Sequence, residues 1–391
     1  MNKFVVSAPA KAILFGEHAV VYGYPAIATT IKLHCYFTVT IKNETCENIT
    51  LDLKDLSENS IHIPIKMVHS ISIKTPVLDY AWKLVSDLFD CAYRDSPRSS
   101  SITASTCVII YLFIRAMQLL GDKCNNQQCC PLLNGENAIY IEVHSEIPTG
   151  SGIGSSGAFS VAAATTVLLL TNTYPLLKIW DIDRTHRELI SSLARDAERI
   201  IHGTSSGLDS TICTYGGTIV FSKDRLPSFR RINIPNVDAV KLLLVSTNIT
   251  RSTSMAVKKV YDRWKEDKTY VNSIFKEIGI IVDEVSDILN QKHTWETCQS
   301  LISYIVKNQY LLKELGVSNS VSNELIEELR EVGIPAKVTG AGFGGCVVGF
   351  ISGAVYDDTK LNDLIKSWDK RSLWSKVVSI EATGVKYNSY F

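Results

Sequence analysis

The sequence carries no net charge and no long run of one sign, because 40 basic residues balance 40 acidic residues. A protein that binds nucleic acid or a membrane surface electrostatically needs a charge excess, so we expect neither partner. The longest purely apolar run, residues 108–114, is much shorter than the roughly 20 residues that span a bilayer. A charged ligand would therefore have to be bound by a few precisely placed groups.

The sequence also lacks the cysteine spacing that holds zinc, although it contains ten cysteines. A disulfide framework is not expected in a chain of 391 residues. Pro9 and Lys11 interrupt the first residues before a signal-like apolar core could form. We therefore expect a reduced, cytoplasmic protein, and a chain of this length favours two domains over one core.

Two glycine-rich stretches fit G-x-G-x-x-G, from Gly152 to Gly157 and from Gly340 to Gly345, but neither has the context of a dinucleotide-binding site. That site needs a buried strand before the motif, a helix after it and an acid about 20 residues later. No acid occurs between Gly157 and Asp181, and the chain after Gly345 reads as a strand. A dehydrogenase is thus an outside alternative. The P-loop ending Gly-Lys-Ser/Thr and the protein-kinase triplets are absent from the sequence.

The first of these stretches belongs to a longer loop, IPTGSGIGSSGAFSVA at residues 147–162. Its alternate glycines at 150, 152 and 154 expose successive N–H groups just before an apolar helix expected at 158–170. A helix N-terminus adds a partial positive charge, so phosphate is the expected ligand. A plain turn before a buried helix is the competing interpretation.

Strands and helices alternate on an antiparallel theme, which predicts an α+β fold. A polar, proline-containing segment at 223–237 indicates a domain boundary, giving domains of 1–225 and 226–391. Asp183 and Gly203 have the residue types that begin and end helices, and they bracket one predicted helix. We expect strands in the first forty residues and at 139–143, 239–246 and 346–350, and helices at 76–92, 104–120, 183–201, 253–291, 295–315 and 321–332.

Three charged residues are candidates for chemistry, although each alone is more often a cap or a solvated group. Lys11 stands among small apolar residues, Glu198 near a helix end, and Asp209 in a turn with two glycines. Glu198 and His202 are four residues apart and could share a metal ion, but no further zinc ligands follow at suitable spacing. Magnesium needs only one or two protein oxygens beside phosphates, so it stays possible.

Three ordered segments resemble the motifs of the GHMP small-molecule kinases: SAPAKAILFGEHAVVYG at 7–23, PTGSGIGSSGA at 148–158 and KVTGAGFGGC at 337–346. HAVVYGYPAIA after Gly16-Glu17, together with ERIIHGTSSGLDS at 198–210, is similar to the branch of this family that phosphorylates mevalonate. The resemblance implies a two-domain GHMP kinase fold. It comprises an N-terminal domain with a left-handed βαβ unit and a ferredoxin-like C-terminal domain, with the site between them.

The activity implied by this resemblance is transfer of phosphate from ATP to the C5 hydroxyl of mevalonate, with Mg²⁺, in isoprenoid and sterol precursor synthesis. A homodimer is implied in the same way. Two alternatives stay open: another kinase of this fold acting on galactose, homoserine or phosphomevalonate, and a catalytically silent ligand sensor. The presence of Lys11, Ser156, Glu198 and Asp209 disfavours the sensor.

The roles of individual residues are carried over from the family. Asp209 resembles the catalytic base, and Lys11 resembles the lysine beside both that base and the transferring phosphoryl group. Ser156 and Glu198 resemble the magnesium ligands. The resemblance further implies nucleotide contacts at Ser145, Gly150, Ser151, Gly152, Ile153, Gly154, Ser155 and Ser156, substrate contacts at Glu17, His18, Arg251 and Thr253, and closure of the site by Gly340, Ala341 and Gly342 of the third motif.

The chain departs from the family pattern at Ala10, at Gly157, at Thr204-Ser205 and at Phe343. The family commonly has glycine at the first and last of these positions, alanine at Gly157, and Asn-Pro at 204–205. Phe343 stands in a run of glycines, so its ring must point away from the pocket or narrow it. We expect it to reshape access for the nucleotide or for inhibitors.

Overall fold

The structure is a computed structural model of the chain. It describes residues 2–69, 77–89, 101–120, 133–171, 182–203, 205–224, 228–234, 240–249, 253–291, 295–352 and 354–390. Twelve strands and eleven α-helices occur within these ranges, in agreement with the expected α+β class.

The first part of the chain alternates long strands with apolar helices. Its strands are β1 Asn2–Phe15, β2 Ala26–Lys42, β3 Asn48–Leu53, β4 Ile61–Pro64, β5 Ala138–Ser145, β6 Thr218–Phe221 and β7 Phe229–Ile232, and a 3₁₀ turn spans Ala19–Tyr22. Its helices are α1 Ile65–His69, α2 Val77–Leu88, α3 Ser101–Leu120, α4 Ser155–Leu170, α5 Arg184–His202 and α6 Leu208–Tyr215.

The second part begins with a strand and ends with two. Its strands are β8 Lys241–Ser246, β9 Ala336–Val338, β10 Cys346–Phe350, β11 Ser375–Glu381 and β12 Lys386–Tyr390. Its helices are α7 Thr253–Glu266, α8 Lys268–Leu289, α9 Trp295–Glu314, α10 Ser320–Glu331 and α11 Asp358–Lys370. The helical segment expected at 253–291 is therefore two helices, separated at Asp267, which caps α8.

One sheet runs through the molecule in the order β4-β3-β5-β2-β11-β8-β10-β9. Strands β3 and β5 pair in parallel, so the helices between them form a crossover, and the other described pairs are antiparallel. Strand β11 pairs with β2 at Ile380 and Ile31, and β12 pairs with β1. Strands from the C-terminal end of the chain thus pair with strands on the other side of the boundary predicted at 225/226.

Two buried helices and one capped helix position the site. Helix α4 is apolar all round and is buried from Ala158 onward apart from Phe159, as its sequence predicts. Helix α5 begins at the expected cap, where Asp183 accepts a hydrogen bond from the His186 N–H, and it ends at Gly203. Among the described residues, α3 is long and apolar enough to cross a membrane, but most of it is buried in the molecule, as a core helix would be.

Candidate active site

A cavity of about 360 Å³ lies among β1, the loop before α4, helices α5 and α6, the start of α7 and the third motif. Most of the residues predicted for the site line this cavity. They are Lys11, His18, Ser145, Gly150, Gly152, Gly154, Ser155, Ser156, Glu198, Asp209, Thr253, Gly340 and Ala341. Arg251 lies outside the described residues.

The glycine loop packs closely against β1. Gly150, Gly152 and Gly154 all have positive φ angles, which glycine adopts without strain. A Cβ atom at Gly154 would lie 2.7 Å from Cγ of Lys11, so a side chain there would displace the lysine stem. The Lys11 N–H donates to the Ile153 carbonyl at 2.9 Å. The loop therefore delivers the N-terminus of α4 to the cavity beside Lys11, where the first amide groups can bind an anion.

Lys11 and Asp209 form an ion pair of 3.1 Å between Nζ and Oδ1 at the cavity wall. Lys11 is buried in β1, with 4% of its side chain exposed, whereas Asp209 is 28% exposed. Asp209 stands in the first turn of α6, after Gly207 with φ of 86°. The carboxylate of Asp209 can thus contact a ligand in the cavity while it stays paired with the buried ammonium of Lys11.

Glu198 supplies a second carboxylate, which is almost fully buried. Its Oε2 accepts a hydrogen bond of 2.5 Å from the Ser205 hydroxyl. Burial, followed by the negative charge of Asp209, raises the pKa of Glu198 to about 8, against the opposing effects of Ser205, Lys11 and Arg195. Glu198 and Asp209 thus share a cavity wall whose described lining residues include one lysine, Lys11, and no arginine.

Ser156 lies in the first turn of α4 and is hydrogen-bonded through Oγ to Nε2 of His202 at 2.9 Å. The spacing of His202 and Glu198 on one helix suggested a shared metal, but the structure places the imidazole against this serine. Ser156 and Glu198 both line the cavity. A hydroxyl and a buried carboxylate suit magnesium, which prefers oxygen ligands.

Gly157 allows the two carboxylates to approach α4. A Cβ atom there would lie 2.8 Å from Cβ of Asp209 and 3.0 Å from Oε1 of Glu198. Contacts this short require the neighbours to move. Glycine stands at position 157, where the family commonly has alanine, and the close packing of the site explains why a smaller residue fits here.

His18 and Thr253 reach the cavity from other elements. His18 has φ of 60° and ψ of −45°, which is rare for a residue with a side chain. Its Nε2 donates to the Ala341 carbonyl of the third motif at 2.9 Å. Thr253 is the first residue of α7. The structure thus brings the first motif, the third motif and α7 to one wall.

Four predicted site residues are not on the cavity wall. Glu17, expected to touch substrate, turns the other way because its carboxylate forms a fully buried ion pair with Lys337. Ser151 donates to the Pro148 carbonyl at 2.6 Å, which shapes the loop. Ile153 is buried in the core, and Gly342 packs against the Val317 carbonyl.

Phe343 also points away from the cavity. It has φ of 57°, its N–H donates to the Val317 carbonyl at 2.7 Å, and Lys259 Nζ lies 4.6 Å from the centre of its ring. The ring packs partly buried against the core and does not line the cavity. The ring could either narrow the pocket or point away from it, and in the structure it points away, so it does not narrow the pocket.

Sequence reasoning did not find four residues that support the site: Ser205, Asn308, Lys337 and Asp55. Asp55 lines the cavity and accepts from the Ser145 N–H at 2.7 Å. Lys337 offered one signal, because it is a lysine between apolar residues at the start of the third motif, just before the glycine run. Asn308 and Asp55 are ordinary polar residues whose partners are distant in sequence, and Ser205 bonds to Glu198 seven residues earlier in the chain.

A glycine loop at a helix N-terminus, facing a buried lysine paired with a partly exposed carboxylate in this fold, defines a small-molecule kinase of the GHMP class. Family models described as GHMP kinases N terminal domain and GHMP kinases C terminal match residues 109–217 and 291–369. Within that class the chain belongs to the mevalonate kinase family. It is 30% identical to mevalonate kinase of Arabidopsis thaliana over 371 residues, covering 90% of this chain and 91% of that one. It is 28% identical to the Homo sapiens mevalonate kinase, covering 88% and 84%.

Solved structures show the same fold. The mevalonate kinase of Methanococcus jannaschii superposes with a TM-score of 0.68 at 24% identity, covering 96% of this chain and 98% of that one. The L. major mevalonate kinase in complex with R-mevalonate superposes with a TM-score of 0.62 at 20% identity, covering 97% and 95%.

Proposed function

We propose that the chain transfers the terminal phosphoryl group of ATP to the C5 hydroxyl of mevalonate. The observation that carries this proposal is the Lys11–Asp209 ion pair at the end of the glycine loop. It combines a partly exposed carboxylate with a buried cation beside an anion-binding helix N-terminus. The relatives named mevalonate kinase support the choice of alcohol.

Asp209 acts as the general base in this proposal. An alcohol is a poor nucleophile, so a carboxylate within hydrogen-bond reach accepts its proton as the new P–O bond forms and the bond from the terminal phosphorus to the ADP oxygen breaks. The ammonium of Lys11, 3.1 Å away, is paired with this carboxylate and offsets negative charge that develops on the phosphoryl oxygens. The glycine loop, from Gly150 to Ser156, binds the phosphates through its backbone N–H groups.

Magnesium fits the residues present, because the carboxylates of Glu198 and Asp209 and the hydroxyl of Ser156 line the same cavity. Burial and the charge of Asp209 both oppose ionisation of Glu198, so a bound cation would compensate its negative charge. Ser156 and Glu198 would hold the ion. When bound beside the nucleotide, it would neutralise charge on the β- and γ-phosphates. Ser205 orients Glu198 through its hydrogen bond, and His202 orients the Ser156 hydroxyl.

Mevalonate is a small carboxylate with two hydroxyl groups, so its site needs hydrogen-bond donors and one cation. His18 and Thr253 line the cavity and can supply donors. Arg251 is proposed as the cation on the family resemblance alone. We infer a homodimer in the same way, whereas the division at 225/226 rests on the polar, proline-containing segment at 223–237 and the cytoplasmic location on the composition of the sequence.

The test is ADP release with MgATP against a panel of mevalonate, phosphomevalonate, galactose and homoserine, with the phosphorylated product identified by mass spectrometry. Turnover with mevalonate alone, giving 5-phosphomevalonate, is the expected result. Turnover with another alcohol would retain the kinase chemistry and refute the substrate. Binding of ATP without turnover of any alcohol would instead indicate a ligand sensor.

A further inference from the structure

Glu17 and Lys337 are both fully buried, and they form an ion pair between residues 320 positions apart in sequence. Asn308 of α9 donates to Oε2 of Glu17 at 3.2 Å, and Lys337 also donates to the Val338 carbonyl at 2.9 Å. Neither charged group lines the cavity. The first motif is thus tied to β9, the strand that leads into the third motif.

Stability alone does not explain this pair. Removing two charges from water carries a desolvation cost that often equals or exceeds their attraction, so apolar replacements of buried pairs are frequently neutral or stabilising. A buried pair can instead fix one arrangement of the chain among several. The neighbours of Glu17 indicate which arrangement is fixed here.

The residue after Glu17 is His18, whose backbone angles of 60° and −45° are strained for a side chain-bearing residue. Such angles persist only where the surroundings enforce them. Lys337 holds the chain on one side of His18, and the hydrogen bond from His18 to the Ala341 carbonyl holds the ring on the other. The position of His18 in the cavity wall therefore depends on the Glu17–Lys337 ion pair and on the hydrogen bond to Ala341.

A second connection runs parallel to the ion pair. The hydroxyl of Thr339 accepts from the Ile13 N–H at 3.1 Å and donates to the Ile13 carbonyl at 3.0 Å. Ile13 lies in β1, two residues after Lys11. The first motif, residues 7–23, and the third motif, residues 337–346, are thus held together at three points, which are Ile13–Thr339, Glu17–Lys337 and His18–Ala341.

We propose that Glu17 and Lys337 form a positioning pair that holds His18 in its strained conformation against the third motif. They shape the substrate wall from behind and do not touch the substrate. The proposal rests on mevalonate phosphorylation for its kinetic readout, but the conformation of residues 16–23 can be followed without any substrate.

The experiment compares Glu17→Gln with Leu361→Ala, a control in the separate small core of α11. The control loses stability through a cavity in a hydrophobic cluster that contains neither Glu17 nor His18. In Glu17→Gln we expect the KM for mevalonate to rise about tenfold or more, with the KM for ATP within about threefold, because misplaced binding groups weaken one substrate. Leu361→Ala should lower the melting temperature and leave both KM values unchanged. Equal KM values in Glu17→Gln and wild type would overturn the proposal.

The double variant Glu17→Gln with Lys337→Met covers the case in which the single variant does not fold, because it leaves no unpaired buried charge. We expect the same rise in the KM for mevalonate, together with faster hydrogen exchange in residues 16–23. Wild-type exchange and a wild-type KM in this folded variant would refute the positioning role. If wild type itself did not turn over mevalonate, the proposed function would fail, and unchanged exchange in residues 16–23 would separately refute the pair's role.

Discussion

Substitution of Glu198 by glutamine is expected to stabilise the ligand-free protein at alkaline pH while impairing catalysis. The native protein buries this carboxylate next to Asp209, with Lys11 as the nearby paired cation. A buried charge of this kind opposes folding until a ligand compensates it. The glutamine side chain has nearly the same shape and cannot ionise.

The magnitude follows from the pKa of Glu198, which burial raises from 4.5 to about 8. A carboxyl with a raised folded pKa keeps its full contribution to stability below about pH 4.5 and loses it as the pH rises to about 8. At about 1.4 kcal/mol per pH unit, this interval corresponds to at most about 5 kcal/mol. The glutamine accepts a weaker hydrogen bond from Ser205, a loss of about 1 kcal/mol. We therefore expect the free energy of unfolding of Glu198→Gln to exceed that of wild type by about 2–4 kcal/mol at pH 8 and to lie within about 1 kcal/mol of it at pH 5.

The assay is urea denaturation of the two proteins at pH 5, 6.5 and 8, without nucleotide or magnesium. The control is Glu188→Gln on the same helix, a carboxylate that is 56% exposed and paired with Arg184, which should change stability by less than about 1 kcal/mol at every pH. The reasoning would be refuted if the free energy of unfolding of Glu198→Gln differed from that of wild type by the same amount at all three pH values, whatever that amount is.

Three further predictions concern packing and charge. Gly157→Ala places a Cβ 2.8 Å from Cβ of Asp209, so we expect kcat to fall about tenfold or more, and an unchanged kcat would show that the site relaxes freely. Phe343→Gly should leave the KM for ATP within about twofold of wild type, because the ring lies off the cavity, and a larger change measured in steady-state assays would contradict this placement. Burial opposes ionisation of Glu381, but His34 lowers its pKa to about 2, so its contribution is present above about pH 4.5 and lost toward pH 2. Glu381→Gln should therefore have a lower free energy of unfolding than wild type at pH 7, and the two values should converge near pH 2 in an acid denaturation series. A difference that stays constant with pH would refute the assignment.

The parts of the site that sequence predicted depend on local signals. Alternate glycines followed by an apolar run predicted a loop that leads into the buried helix α4, because both properties act within a few residues. Asp183 and Gly203 marked the ends of α5 for the same reason, and the structure has both caps. The family resemblance then predicted that Lys11 lies beside Asp209, and in the structure the two form an ion pair of 3.1 Å.

The parts that sequence missed depend on distant partners. Glu17 matched a substrate position by motif, but its direction is set by Lys337, 320 residues away. His202 shares a helix face with Glu198, yet its ring meets Ser156 on another helix. Periodicity reports which residues share a face and does not report what faces them. The pairing of β11 with β2 is hidden for the same reason.

The most direct test of the catalytic site is Asp209→Asn, measured for turnover with mevalonate and for binding of MgATP. The amide keeps the size of the side chain and removes its capacity to accept the hydroxyl proton. We predict a kcat reduced by about a hundredfold or more, with nucleotide affinity within about threefold of wild type because the glycine loop is intact. A kcat within tenfold of wild type would contradict the role of Asp209 as the base.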